Sequence, residues 1–159
     1  MTMINSRTFD RDGFTWKVST HVDESMGAPW NESDGHGIVS EWERRAKRPG
    51  EVIIAKDHGA CIFYNVQSTQ ALAVRDGWSV AGASGMSRRA AAAAAVREDV
   101  RRMRAWCADE WCYVGIIVER IRESGREVCT VTESLWGIES DSGDYLAEVA
   151  EELMLQCAE

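Results

Sequence analysis

No stretch of the 159-residue chain approaches the roughly 20 apolar residues that a membrane-spanning helix needs. Its first twelve residues, Met1 to Asp12, are polar and contain no apolar signal-peptide core. These two absences predict a cytoplasmic protein with no membrane association. Cysteines are few and scattered, at Cys61, Cys107, Cys112, Cys129 and Cys157. An odd number without tight spacing argues against a disulfide framework and predicts reduced, mostly buried thiols. Cys107 and Cys112 do not have zinc-knuckle spacing, and neither a metal nor a cofactor is expected. Nucleophile motifs such as Gly-x-Ser-x-Gly at a strand–helix turn are missing, so no catalytic residue is assigned. No internal repeat and no second domain are visible. The length and the 45% hydrophobic content suit one globular domain, residues 1–159, with residues 1–12 expected to be flexible.

The formal charge of −8 disfavours non-specific binding of the whole surface to nucleic acid and favours a basic protein partner. The charge is uneven. Segment 87–107 holds Arg88, Arg89, Arg97, Arg101, Arg102 and Arg104 against Glu98 and Asp99, a net of +4.

Hydrophobic periodicity marks the elements. Phe14, Trp16 and Val18 alternate with Thr15, Lys17 and Ser19, as in a half-buried strand. Residues 51–56 and 60–65 read as a hairpin around Asp57-His58-Gly59. A helix is expected from Val66 to Asp76, capped by Asn65 or Ser68 and stopped by Gly77. Ser87 to about Asp109 is the clearest helix, with six consecutive alanines and an apolar stripe of Val96, Val100, Met103 and Cys107. Residues 112–122 and 127–135 form a second hairpin turned by Ser124-Gly125, and a last helix runs from Ser142 or Asp144 to about Cys157. The order predicts an α+β domain, an antiparallel sheet of about five strands packed by about three helices. The alanine run offers a small-residue face on which two copies would pack as a homodimer.

Residues 29–51 stand apart. They hold Trp30, Trp42, His36, three glycines and both prolines of the chain, with little regular period. Long structured loops of this kind are usually functional, and their tryptophans argue against disorder. Ser40 to Arg45 is expected to form a short helical turn with Glu43 completing a capping box. Asp34 with His36 and Glu41 is a candidate acid–base group, although a histidine becomes a base only beside a positioned partner. Tryptophan and arginine dominate interface hot spots. Trp30, Asp34, His36, Trp42, Arg44 and Arg45 are therefore the candidate protein-binding residues. Glu139, Asp141 and Asp144 form a candidate acidic patch, which helix capping and dipole neutralisation explain without a ligand. Together with the loop, that patch could present phosphate-like charge to a basic partner. Arg97, Arg101 and Arg104 share a helical face and are candidate phosphate-binding residues, a weaker signal within a net-acidic chain.

Five stretches taken together carry a resemblance: Asp34-Gly-His-Gly-x-Val-Ser-Glu-Trp42, Arg44-Arg-x-Lys-Arg-Pro-Gly-Glu51, Arg75-Asp-Gly-Trp78, Arg104-Ala-Trp-Cys-x-Asp-Glu-Trp111, and Ser134-Leu-Trp-Gly-Ile-Glu-Ser-Asp-Ser-Gly-Asp-Tyr145. The chain resembles a family of small proteins of tailed phages and prophages over nearly its whole length. The resemblance implies a phage or mobile-element origin and no particular chemistry. Small acidic phage proteins often act by blocking host machinery, including defence nucleases. The expectation is therefore a non-enzymatic inhibitor of a host protein complex, of anti-CRISPR or similar counter-defence type. The alternatives are a nucleic-acid-binding accessory protein using the helix at 87–104, and a small enzyme using Asp34 and His36.

Overall fold

A computed structural model describes residues 1–124 and 127–158. In chain order the described elements are β1 (Met3–Arg11), β2 (Phe14–Val22), α1 (Pro29–Glu32), β3 (Ile38–Glu43), β4 (Glu51–Asp57), β5 (Ala60–Asn65), α2 (Val66–Asp76), α3 (Arg88–Cys107), β6 (Tyr113–Ser124), β7 (Glu127–Glu139) and α4 (Tyr145–Ala158). The fold is α+β, and all its strand pairs are antiparallel. Seven strands form two sheets among the described residues, ordered β1-β2-β6-β7 and β3-β5-β4. No helix among the described residues is long and apolar enough to cross a membrane. The chain divides into two compact units, residues 1–26 with 111–159 and residues 27–110.

The first unit is the four-stranded sheet with α4 packed on β6 and β7. Trp16, Val18, Val114, Ile116, Val118 and Ile138 meet Val149, Leu153 and Met154 of α4 in its core. Met3–Arg11, expected to be flexible, is instead strand β1, paired along β2. The overlooked signal is Asp12-Gly13. Both residues have positive φ, 54° and 79°, as a two-residue hairpin turn with the right twist requires. Gly115 has a related role: a Cβ there would collide with the ring of Trp136, so the tryptophan of β7 lies directly over the backbone of β6. Ser124 ends β6, and Gly125 of the expected turn lies outside the described residues.

The second unit packs the three-stranded sheet against α2 and α3. Its core joins Ile54, Ile62, Phe63 and Tyr64 to Ala73, Ala92, Val96, Val100 and Met103. Both helices obey their sequence signals. The Asn65 side chain accepts from the Ser68 amide at 2.8 Å, and Gly77 closes α2 in the left-handed conformation at φ 70°. The Ser87 hydroxyl accepts from the Ala90 amide at 3.1 Å. Ala91, Ala92 and Ala95 are buried, so much of the alanine run is occupied within this one chain.

Candidate functional site

Residues 29–51 are not one irregular loop, and the helical turn expected at Ser40 to Arg45 does not form. Pro29 starts the one-turn helix α1, and Ser40 to Glu43 belong to strand β3. Ile38 and Val39 open β3 as β-branched residues that pair with Asn65 and Tyr64. The edge of β5 supplies the hydrogen bonds that a capping box would otherwise have supplied. Ser40 pairs with Phe63 and Glu43 with Cys61, so Glu41 and Trp42 stand opposite the single residue Ile62. That is a β-bulge, a device that bends an edge strand and re-aims its side chains.

The bulge separates its two residues. Glu41 accepts from Trp30 Nε1 at 2.8 Å. The Trp30 ring meets Trp106 edge-on, centroids 5.4 Å apart. Trp30 therefore pins α1 within its own unit. Trp42 is exposed where Trp30 is half-buried. It holds φ 48° and leaves 50% of its surface exposed. A non-glycine residue in the left-handed region costs roughly 1–3 kcal/mol and persists only where its surroundings enforce it.

Those surroundings are an ionic network directly beyond Trp42. The Arg45 guanidinium grips Glu51 in a fork, Nη1 to Oε2 and Nη2 to Oε1 at 2.8 Å each. It also bonds Glu43 through Nε and lies 3.9 Å from the centroid of the Phe63 ring. The Arg48 amide donates to Glu51 as well. Bonding to Arg45 and then to this amide pulls the Glu51 carboxyl down to about 2. Arg45, a candidate contact residue from sequence, is thus committed to holding β3 to the start of β4. Arg44 reaches the β4–β5 hairpin tip, donating to the His58 carbonyl at 2.6 Å.

At the other end of β3 the segment is clamped by Asp99 of α3. This carboxylate is 8% exposed. It lies 2.7 Å from His36 Nδ1 and accepts from the Gly37 amide at 2.8 Å and the Tyr64 hydroxyl at 2.6 Å. Burial, then the Asp99 carboxylate, push the Tyr64 phenol well above its usual range. The Ile38 amide donates to Thr69 Oγ1 at 3.0 Å. The partner of His36 is therefore Asp99, while Asp34 is exposed. A cavity of about 280 Å³ adjoins Asp99, lined by Gly35, Trp78, Ser79, Val80, Ala95 and Glu98. A buried carboxylate orienting a histidine is half of a base–nucleophile arrangement. Here three donors converge on it, and their joint effect is to fasten residues 36 and 37, together with Tyr64 of β5, to α3.

The remaining candidates are dispersed. Glu139 and Asp141 both have interaction partners, and the Ser142 hydroxyl donates to the Glu139 carbonyl at 2.7 Å. Among the described residues no group of three His, Cys, Asp or Glu side chains is placed to hold a metal ion. Arg101 pairs with Glu98 at 2.6 Å, and Arg104 donates to the Ile53 carbonyl at 3.2 Å. Asp99, Tyr64 and Glu51 were not predicted as site residues. Only Asp99 left a signal, a charge at the position between Val96 and Val100 on the apolar stripe of α3. No protein-family profile, no curated protein and no solved structure matches the chain.

Proposed function

We propose that the chain is a non-enzymatic binding protein of phage or mobile-element origin that inhibits a host protein complex, with Trp42 as its principal contact residue. A counter-defence role of anti-CRISPR type in the host cytoplasm is the specific form of this reading. The supporting observation is Trp42 itself, a half-exposed indole held at φ 48° on a bulged edge strand. A glycine would occupy that backbone position without strain. The bulge, the Arg45–Glu51 fork and the Asp99 clamp hold rigid a segment whose outward product is one aromatic side chain. Tryptophan is enriched among interface hot spots, which sit in well-packed pockets at the interface. Ile38, 46% exposed on the same strand, extends the apolar contact. The resemblance of the chain to small phage proteins favours a host target.

The test is capture from bacterial lysate with the tagged wild type beside Trp42→Gly, read by mass spectrometry. Arg45→Ala is a poor control, because it breaks the fold network. The reading requires a defined host complex that is retained by the wild type and lost from the variant. Equal capture by both proteins, or no capture, counts against it.

A further inference from the structure

Three cavities line one side of α3. The first, about 500 Å³, lies between Arg89 and the α2 residues Gln67, Gln70, Ala71 and Val74. The second, about 360 Å³, is walled by Val52, Val66, Val96 and Val100 and rimmed by Arg97 and Arg104. The third, also about 360 Å³, runs on past Arg101 to Glu110. Gln70 lines the first and second, while Arg97, Val100 and Arg104 line the second and third. Each cavity therefore adjoins the next through shared lining residues, and the row of three is treated as one grooved face. Arg89, Arg97 and Arg104 mark it at about 12 Å and then about 10 Å along the helix axis, from the 1.5 Å rise per residue.

These arginines are available. Arg89 and Arg97 are exposed, and neither guanidinium has a hydrogen bond or ion pair among the described residues. Arg104 uses Nε and Nη2 on the Ile53 carbonyl, which leaves Nη1 uncommitted among the described residues. The local charge also differs from that of the whole chain. Residues 27–110 carry 12 Lys and Arg against 11 Asp and Glu, a net of +1, whereas the other unit carries 6 against 15, a net of −9. The overall −8 therefore belongs to the unit without the groove.

We propose that this groove binds single-stranded nucleic acid. The arginines hold phosphates through charge-assisted hydrogen bonds. The valine and alanine walls between them receive sugars and base faces. Repeated cations along a groove with apolar space between them suit a strand whose bases are free to turn inward. A duplex keeps its bases stacked inside and offers only phosphates to the walls. Three phosphate contacts give a log–log salt slope of about −2 for a single strand.

The experiment is fluorescence anisotropy of the full chain with labelled single-stranded DNA and RNA of about 16 nucleotides, a length within known single-strand site sizes, across a salt series. The expected result is binding with that slope. Arg97→Ala is expected to weaken binding similarly across sequences and to reduce the slope by about 0.7, and the double variant with Arg89→Ala to weaken it further. Arg122→Ala, an exposed arginine of the other unit, leaves binding unchanged. Arg89 and Arg97 are both exposed, so the variants retain the fold, and circular dichroism checks this. The proposal is overturned by absence of binding at low salt, by salt-independent binding, or by unchanged binding in the double variant. Tighter binding of a duplex or of an acidic peptide overturns it equally.

Discussion

His36 Nδ1 stands 2.7 Å from Asp99 Oδ1, across 63 positions of sequence. The same carboxylate receives the Gly37 amide and the Tyr64 hydroxyl. One buried group thus ties the entry of β3 to α3 and to the end of β5. Removing it strands three polar groups at once, and each unsatisfied buried donor costs about 1–3 kcal/mol. Asp99→Ala is expected to destabilise the protein by about 3 kcal/mol or more in urea unfolding. Asp34→Ala, at an exposed position, is expected to change stability by less than about 0.5 kcal/mol.

Trp42 separates backbone strain from side-chain loss. Trp42→Ala and Trp42→Gly both delete the indole, but only glycine relieves a φ of 48°. The glycine variant is expected to be more stable than the alanine variant by about 1 kcal/mol, measured by the midpoint of denaturant unfolding. Equal stability of the two would mean that the bulge holds no strain.

The Arg45–Glu51 fork carries a pH signature. Glu51 sits at about 2 in the folded chain against an ordinary 4.5. Between those values the unfolded chain binds the extra proton, so stability rises with pH across that window. The contribution is fully present above about pH 4.5 and is lost as pH falls toward 2. Glu51→Gln is expected to flatten this part of the stability profile while leaving the slope at neutral pH unchanged.

Two glycines under aromatic rings respond differently to a methyl group. At Gly37 the added Cβ meets Tyr64, which is 0% exposed and held by Asp99 at 2.6 Å. At Gly115 it meets Trp136, which is 38% exposed and can swing outward. Gly37→Ala is expected to cost about 2–3 kcal/mol. Gly115→Ala is expected to cost about 1 kcal/mol or less and to shift tryptophan emission to the red.

Burial pushes the Cys107 thiol up to about 11, aided by Asp109 and Glu41, and burial raises Cys157 as well. Cys129 is exposed on β7. Because the thiolate is the reactive form, alkylation at about pH 8 is expected to label Cys129 first and to spare Cys107 and Cys157 until the protein unfolds. Mass mapping of the labelled peptides reads this directly.

Local signals in the sequence were legible where short-range chemistry decides. Asn65 and Gly77 bound α2, Ser87 opens α3, and the 57–59 turn joins β4 to β5. The fold class followed from the order of these elements. Legibility ended where long-range partners decide. Ser40 and Glu43 look like a capping box, yet the edge of β5 draws them into a strand. Arg45 reads as a contact residue, yet Glu51 and Phe63 take it inward. The Asp99 clamp joins residues that neither period nor spacing relates. Its only trace was a carboxylate beside the buried stripe of α3. Trp30 and Trp42 look alike in the sequence, yet Glu41 and Trp106 hold the first while the second stands half-exposed on the bulge.

The most direct test of the central claim is calorimetric titration of the captured host complex with the wild type and with Trp42→Gly. A hot-spot tryptophan contributes about 2 kcal/mol or more to binding. The expected result is therefore a loss of affinity of at least about 30-fold with unfolding stability preserved. An affinity unchanged in Trp42→Gly would contradict the account and remove Trp42 as the contact residue.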